Sequence, residues 1–580
     1  MPRRNPHPTR YAVYFVLLAI MFLFMIWPIV LTVRGGFVGV DGRFTFGYVA
    51  SIYRDPVMLR GLFNSLSIAT FTTLLCLLLT LPLAVLAVRC DFRGKRIATS
   101  LIMVPLILPP FVGAIGIRAV LGRFGALNAL LGNLGWIDPE SAGIDFLGGA
   151  VGGRFWGVVI MEALHLYPIT FLNLTAALAN LDPTLDEAAR GVGAGGWRRF
   201  RRITLPLIMP GVFAGTTIVF IWSFTELGTP LMFDYYTVTP VQIFWGISEV
   251  QSNPRPYALV VVMLAHATAF YLIGKVLLGR QGHAMQTKAS IAGTVRRLGP
   301  LAGLGAAAAF AVTIGLALLP HVGVVLSAFS IEGGWYRSVL PDALTFAHFE
   351  NALGHGLASR SIRNSLLFAS MATALAVVIG TSIAYLNVRL RVRGGWLLDG
   401  LAMLPLAVPG LVMAFGYVAM TLHWPFNLVP QWASVVGTNP NPIPLLVIAY
   451  AIRRLPYVVR SASAGLEQTS VSLEEAAHNL GGGTLYTVRR ITVPLIGANL
   501  IAGAILAFSF SMLEVSDSLI LARKQEDFPI TKAIYELFQR LGDGPYIASA
   551  MGVWGMALLS VTLIGASILM GRRLGAIFRI

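Results

Sequence analysis

A short polar motif occurs twice in this chain with the same internal spacing. Each copy has Glu-Ala-Ala, three residues, Gly, nine residues and then Ile-x-(Leu or Val)-Pro, starting at Glu187 and at Glu475. The two glutamates are 288 residues apart, about half of the 580-residue chain. Acidic residues favour a helix start, and alanines keep a helix thin enough for another surface to approach. We interpret the copies as paired docking helices rather than as simple connections between membrane segments.

The residues around each copy predict a short helix with defined ends. In the first copy, Asp182 is a suitable N-cap and Gly193 can adopt the left-handed conformation that stops a helix. In the second copy, Ser470 or Ser472 is the expected cap and Gly481 the expected stop.

Charges inside apolar segments are costly, so four charged residues are candidates for a substrate pathway: Glu226, Glu514, Asp517 and Arg118. Glu226 and Glu514 are 288 residues apart, and Asp517 follows the second of them. One hypothesis is an outer acidic vestibule that guides a cation or hydrogen-bonds a polar solute. The alternative is that these acids reach headgroup water or pair with Arg118. The sequence favours neither.

Other charged residues within apolar runs favour structural interpretations. Glu162 and His165 share a helical face but have no second Glu-x-x-His partner, so a buried hydrogen-bonded pair is preferred to a metal site. Arg453 and Arg454 are expected to extend towards the membrane surface. No metal site is predicted.

The composition indicates a protein with many membrane segments. The chain is 56% hydrophobic and 12% charged, with a mean hydropathy of +0.74, whereas soluble domains average about 25% charged residues. Its net charge of +17 could suggest nucleic acid, but the arginines cluster in short loops between apolar runs, as in cytoplasmic loops of membrane proteins. Cys76 and Cys90 imply no disulfide framework.

About twelve apolar runs are long enough to span a membrane. They cover 11–33, 64–88, 99–122, 155–178, 207–232, 257–278, 299–329, 364–388, 397–421, 442–464, 495–521 and 546–570. With a cytoplasmic N-terminus, the most basic segments all lie inside: 89–98, 179–206, 279–298, 389–396, 465–494 and 571–580. We therefore expect both termini in the cytoplasm.

The duplication extends through the apolar runs. Asn64-Ser-Leu recurs as Asn364-Ser-Leu, and Pro105 and Pro109 recur 300 residues later. An all-α membrane protein with two parallel six-helix repeats is predicted, with a pathway at the repeat interface. The predicted boundaries are 1–278 and 299–580, joined by a cytoplasmic linker at 279–298.

The duplicated motif resembles the cytoplasmic signature of permeases in binding-protein-dependent ABC importers, which have the MetI-like fold. The resemblance implies that each motif helix contacts one subunit of a cytoplasmic ATPase. The residues implied are Glu187, Ala188, Ala189 and Gly193 for one subunit, and Glu475, Ala476, Ala477 and Gly481 for the other.

The resemblance also implies partners and a location. A homodimeric ABC ATPase is expected to bind ATP and Mg²⁺. This chain has no Gly-x4-Gly-Lys-(Ser/Thr) motif, so we expect it to be no enzyme and to hold no cofactor itself. A periplasmic or extracellular substrate-binding protein and membrane lipid are the other partners, with no nucleic acid. The implied location is the bacterial inner membrane.

The fusion of two halves and the stretch from Ser223 to Pro230 are similar to the ferric-iron permease group. This likeness favours ferric iron as the substrate, with a phosphonate, a sugar phosphate, thiamine or a polyamine as alternatives.

An ion-coupled secondary transporter with parallel repeats is the alternative function, and it would need paired acids and bases near the membrane midplane. A membrane enzyme is a third hypothesis, without a convincing nucleophile–base pair.

Overall fold

A computed structural model describes residues 8–39, 42–107, 109–138, 143–147, 154–278, 296–437 and 439–570. Most of the predicted linker, 279–295, and the predicted inner segment 571–580 lie outside these residues. The repeat boundaries at 278 and 299 stay predictions from the duplication.

Helices form almost all of the regular structure. In the first repeat they are α1 Pro8–Met21, α2 Trp27–Phe37, α3 Gly47–Arg54, α4 Pro56–Arg89, α5 Lys95–Leu101, α6 Pro110–Leu121, α7 Ala126–Asn133, α8 Phe155–Ala179, α9 Pro183–Gly191, α10 Gly196–Arg199, α11 Leu205–Phe224, α12 Gly228–Met232, α13 Thr239–Gly246 and α14 Arg255–Leu278. A π-helical turn, Phe22–Ile26, joins α1 to α2.

The second repeat has a closely similar order. Its helices are α15 Pro300–Phe329, α16 Ala347–Gly354, α17 Gly356–Val388, α18 Gly395–Met403, α19 Gly410–Leu422, α20 Ile443–Gln468, α21 Ser472–Asn479, α22 Thr484–Thr487, α23 Val493–Leu495, α24 Gly497–Met512, α25 Ser516–Leu521, α26 Ile530–Phe538 and α27 Gly544–Met570. Among the described residues, strands are limited to β1 Cys90–Asp91 and β2 Arg296–Arg297, which pair in parallel. The predicted all-α fold is confirmed.

Within the described part of the chain, nine helices are long and apolar enough to cross a membrane, or up to eleven if each of two bent pairs forms one span. Helix α20 is not among them because it contains three arginines, Arg453, Arg454 and Arg460. Its 26 residues nevertheless extend about 39 Å, more than the hydrocarbon thickness. It corresponds to the predicted run 442–464.

Several predicted runs are broken rather than continuous. The runs 99–122 and 397–421 each contain a break before α6 or α19, and α18 and α19 are bent by 107°. Pro109 and Pro409 are the N-caps of α6 and α19, where proline disfavours a helical conformation of the preceding residue. The runs 207–232 and 495–521 end as helices at Phe224 and Met512, before the short helices α12 and α25.

The described residues form two compact units. The first comprises the described parts of Met1–Asp55, Ile243–Val262 and Phe349–Ile577. The second comprises Pro56–Gln242 and the described parts of Met263–His348. Each unit therefore contains the first long helix of one repeat together with most of the other repeat.

In each unit, a glycine allows the first long helix of one repeat to pack closely against a helix of the other repeat. In the second unit, a Cβ on Gly116 of α6 would lie 2.1 Å from the Pro320 carbonyl oxygen of α15. In the first unit, a Cβ on Gly416 of α19 would lie 2.7 Å from Cβ of Pro28 in α2. Small residues allow such close backbone approach between membrane helices. The contact is duplicated, since Gly116 and Gly416 are 300 residues apart.

Candidate functional site

The first copy of the motif folds as predicted into the short helix α9. The Asp182 carboxylate caps it by accepting hydrogen bonds from the Thr184 backbone N–H at 2.9 Å and hydroxyl at 2.7 Å. These bonds, the hydroxyl bond foremost, hold the pKa of Asp182 below its ordinary value because they stabilise the ionised form. Gly193 has a φ of +77° and ends the helix, which confirms the predicted stop.

The second copy forms α21, but its predicted cap is wrong. Val471 occupies the N-cap position without a side-chain cap, because the helix begins at Ser472. The Ser470 hydroxyl accepts from the Ser472 N–H at 3.3 Å and so forms a turn before the helix. Gly481 has a φ of +85° and provides the predicted stop. We call α9 and α21 the motif helices.

The two motif helices expose the same positions. Glu187 and Glu475 are exposed, as are the alanines that follow them, Ala188 and Ala476. Gly193 and Gly481 are exposed too. The second alanine of each motif is buried within the chain: Ala189 is 8% exposed and Ala477 is 9% exposed. Each helix thus presents one face outward and packs the other against its own unit.

Apolar side chains surround the exposed motif residues at matching positions. Three pairs, each 288 residues apart, share this exposure: Leu185 and Leu473, Val192 and Leu480, and Trp197 and Leu485. Val192 and Leu480 are 84% and 90% exposed. Exposed apolar side chains that recur in one short segment of each repeat are candidates for a protein interface.

An acidic residue beside each motif glutamate binds arginines, which the sequence analysis missed. In α9, the Asp186 carboxylate lies 2.9 Å from Arg199, 3.1 Å from Arg190 and 3.9 Å from Arg89. Arg89 also donates to the Thr204 hydroxyl at 3.0 Å. In the sequence, the segments that contain these arginines served only to predict the orientation in the membrane.

In the second repeat, Glu474 of α21 pairs with Arg389 at 2.9 Å, and their side chains are 8% and 6% exposed. The Tyr385 hydroxyl donates to Glu474 at 3.2 Å, and Arg389 donates to the Thr469 carbonyl and hydroxyl oxygens at 3.0 and 2.6 Å. One signal could have revealed this pair. Asp186 and Glu474 are 288 residues apart and Arg89 and Arg389 are 300 apart, the two offsets of the duplication.

A second cluster of charges brings the predicted pathway residues Glu514 and Asp517 together with two arginines of α20. Arg453 lies 3.1 Å from Glu514 and 3.4 Å from Asp517, and Arg454 also pairs with Glu514. The acidic side chains are only 5% and 1% exposed. The expectation that Arg453 and Arg454 extend to the membrane surface is therefore wrong, since both are engaged by buried carboxylates. The four charges sum to zero.

The first-repeat pathway candidates have other partners. Glu226 accepts hydrogen bonds from the backbone N–H groups of Gly228 and Thr229 at 3.1 and 3.2 Å, at the start of α12. Arg118 donates to the Met232 carbonyl at 2.6 Å and pairs with Asp234 at 3.0 Å. A role of Glu226 and Arg118 in a substrate pathway stays a prediction, as does that of Glu514 and Asp517.

The Glu162-x-x-His165 pair is placed between helices. The Ser223 hydroxyl of α11 donates to the buried Glu162 carboxylate, and His165 Nδ1 lies 3.0 Å from the Pro105 carbonyl in the break before α6. Across the described residues, no group of three or more His, Cys, Asp or Glu side chains is arranged to hold a metal ion.

Comparison with known proteins gives one family for both repeats. The chain matches the family described as "Binding-protein-dependent transport system inner membrane component" over residues 77–283 and 376–571, more than half of its length. Each matched range contains one copy of the motif.

Individual relatives match most of the chain or one repeat. The "Ferric transport system permease protein FbpB" of Actinobacillus pleuropneumoniae is 27% identical over 92% of this chain and 74% of that protein. A putative protein of the same description from Haemophilus influenzae is 27% identical over 87% of this chain and 77% of its own length. The "Molybdenum transport system permease protein ModB" of Escherichia coli is 33% identical over 31% of this chain and 74% of its own length.

A solved bacterial ABC transporter involved in alginate import is similar at a TM-score of 0.38 and 16% identity, covering 47% of this chain and 94% of that one. Because the family match includes both repeats, the chain belongs to the family of binding-protein-dependent transport system inner membrane components and is a multi-pass permease of the ABC importer type.

Proposed function

We propose that this permease takes its driving force from a cytoplasmic ATPase dimer through the two motif helices, one ATPase subunit on each. The observation that carries the proposal is the matched exposure of the two motif surfaces, in which an acidic residue, a small residue and three apolar side chains recur at equal positions. Two equivalent surfaces suit two equivalent partners.

Transport in this proposal depends on positions rather than on catalytic side chains. ATP and Mg²⁺ bind to the ATPase partner, and closure of its subunits moves the motif helices. The permease then alternates between states open to either side of the membrane. A substrate-binding protein delivers solute on the outer side, as the family description implies.

Ferric iron is the proposed substrate, supported by the two relatives described as ferric transport permeases that match most of the chain. A phosphonate, a sugar phosphate, thiamine or a polyamine is the alternative. Since Glu514 and Asp517 are neutralised by Arg453 and Arg454, they would contribute hydrogen bonds to a passing solute rather than net negative charge.

We place both termini and both motif helices in the cytoplasm. The charge distribution assigns β1 and β2 to the inner side, and their pairing brings these two segments together, as a shared side requires. Cys90 of β1 is partly exposed whereas Cys76 is buried. A membrane-impermeant maleimide should label Cys90 in inside-out vesicles and leave it unlabelled in intact cells whose outer membrane has been removed. The reverse pattern would overturn the orientation.

The docking proposal is tested by reversing charge on both motif helices. The Glu187→Arg/Glu475→Arg double variant should lose the co-purifying ATPase and substrate uptake at unchanged membrane levels. Glu350→Arg, an exposed substitution on α16, is the matched control and should retain both. Normal uptake and normal ATPase recovery in the double variant would refute the proposal.

An ion-coupled secondary transporter is the second candidate, favoured only by the buried pairing of two arginines with Glu514 and Asp517. Such a transporter would accumulate solute in proteoliposomes that contain this chain alone and an ion gradient. Uptake that requires the ATPase excludes it.

A further inference from the structure

We infer that Arg389 and Glu474 are positioning residues that tie the second motif helix rigidly to a membrane helix, and that the first motif helix lacks an equivalent tie. This inference rests on the proposed function of the motif helices. It predicts that the two repeats contribute unequally to coupling although their docking surfaces match.

The tie in the second repeat joins three helices. Arg389 is the C-cap of the 33-residue helix α17, and its guanidinium contacts Glu474 of α21 and both oxygens of Thr469, which follows the end of α20. Tyr385, one turn earlier in α17, donates to the same Glu474 carboxylate. Movement of α21 therefore displaces the end of a membrane helix directly.

Burial makes this tie stiff. The side chains of Arg389 and Glu474 are 6% and 8% exposed, so water does not compete effectively for their charges. In such surroundings an ion pair is strengthened, and a charge left without its partner is costly. Separation of α21 from α17 is thus strongly opposed.

The first repeat has a looser arrangement at the same positions. Arg89 lies 3.9 Å from Asp186, with 34% and 20% of the side chains exposed, and it donates to Thr204. The closest partner of Asp186 is Arg199 at 2.9 Å, which belongs to α10 in the segment after the motif helix. The first motif helix is held mainly by its own polar segment.

The sequence explains why the supporting contacts are not duplicated. At the offset of 300, the position of Tyr385 is occupied by Val85, which has no hydroxyl group. At the offset of 288, the position of Thr469 is occupied by Leu181, which also lacks one. Two of the groups that support Arg389 and Glu474 are therefore missing from the first repeat.

The test uses the complete importer in lipid nanodiscs, with its ATPase and its binding protein as purified from the same cells. Arg389→Gln is compared with Arg89→Gln, and the measured quantities are ATPase recovery, basal ATP hydrolysis and the stimulation of hydrolysis by the binding protein. We expect Arg389→Gln to retain the ATPase and basal hydrolysis but to reduce stimulation by about fivefold or more, the range of ordinary coupling energies. Arg89→Gln should change stimulation by less than about twofold.

Two further variants separate positioning from folding. Arg389→Lys keeps a positive charge that can donate to Glu474 and to the Thr469 carbonyl, so at equal ATPase recovery and basal hydrolysis it should retain more of the stimulation than Arg389→Gln does. Tyr385→Phe removes only the hydroxyl that donates to Glu474, so it should reduce the stimulation less than Arg389→Gln does. This variant keeps the inference testable if Arg389→Gln fails to fold. Equal losses in Arg389→Gln and Arg89→Gln, or no loss in Tyr385→Phe and Arg389→Gln, would overturn the inference. A failure of the proposed function would be distinguishable, because no ATPase would then co-purify with the wild-type chain.

Discussion

Arg453 of α20 lies 3.1 Å from Glu514, at a position where the helix that begins at Gly497 has already ended. Glu514 receives Arg454 as well, and its side chain is 5% exposed. Neither arginine can be removed from its carboxylates without leaving charge in a largely apolar region. The cluster therefore ties α20 to the segment that connects α24 with α25.

Neutralising Glu514 should destabilise the protein strongly. Glu514→Gln leaves two mostly buried guanidinium groups with only Asp517, and broken buried pairs cost about 3–5 kcal/mol. Thermal unfolding in detergent should show a large decrease in midpoint. Glu226→Gln, its repeat equivalent, keeps a side-chain oxygen that can accept from the Gly228 and Thr229 N–H groups, so it should cost no more than about 1 kcal/mol. Similar small shifts for both variants would contradict this role of the cluster.

Gly116 and Gly416 lie where the first long helix of one repeat packs against a helix of the other repeat. Neither position should tolerate a side chain. Gly116→Ala and Gly416→Ala would place Cβ 2.1 Å from the Pro320 oxygen and 2.7 Å from Pro28, which should cost about 1–3 kcal/mol as overpacking. Gly315→Ala is the control, because nothing lies within 4 Å of its Cβ position. Unfolding midpoints that fall only for the first two variants would support this packing; a comparable fall for Gly315→Ala would not.

In each repeat, one serine should slow the hydrogen exchange of the first backbone amide of a short helix. Ser65 accepts from the Thr239 N–H at 2.9 Å, and Ser365 accepts from the Ile530 N–H at 2.7 Å. Both serines are buried, so Ser→Ala leaves a buried donor unpaired at a cost of about 1–3 kcal/mol. Hydrogen exchange at the starts of α13 and α26 should accelerate about tenfold or more in Ser65→Ala and Ser365→Ala, respectively. Thr70→Ala, on the exposed face of α4, should leave exchange unchanged.

The buried Lys532 should respond differently to loss of the lysine and loss of its partner. Its ammonium lies 3.0 Å from Glu536 and 5.4 Å from the rings of Phe244, Phe528 and Tyr535. Glu536→Gln leaves a buried charge without its carboxylate and should cost about 1–3 kcal/mol. Lys532→Met fills the same space with an apolar chain and should be nearly neutral in thermal unfolding. A larger loss in Lys532→Met would contradict the expected desolvation cost.

The same lysine predicts a pH effect. Burial lowers the pKa of Lys532, so the unfolded chain binds this proton more tightly than the folded protein does. The contribution of Lys532 to the free energy of unfolding should therefore increase as the pH rises through the folded-state pKa towards the unfolded value of about 10.4, so the fold becomes more stable. Denaturation curves at alkaline pH should show this contribution in the wild-type chain and lose it in Lys532→Met. A similar alkaline response in both would exclude Lys532 as its source.

The sequence by itself determined the features that depend on local chemistry. Apolar run length predicted nearly all long helices, and the capping residue Asp182 and the stops Gly193 and Gly481 predicted the motif helices, because these signals act within one or two turns. The duplication also carried the positions of Asp186, Glu474, Arg89 and Arg389, although only the structure identified them as partners.

Only the tertiary structure decided which helices are neighbours. Lipid solvates an apolar helix face about as well as another helix does, so hydrophobicity gave no indication that α2 packs on α19 and α15 on α6. The pairing of Arg453 with Glu514 joins residues 61 positions apart and depends on where α20 and the end of α24 meet. Such choices follow from close packing and charge compensation between distant segments, which no local pattern encodes.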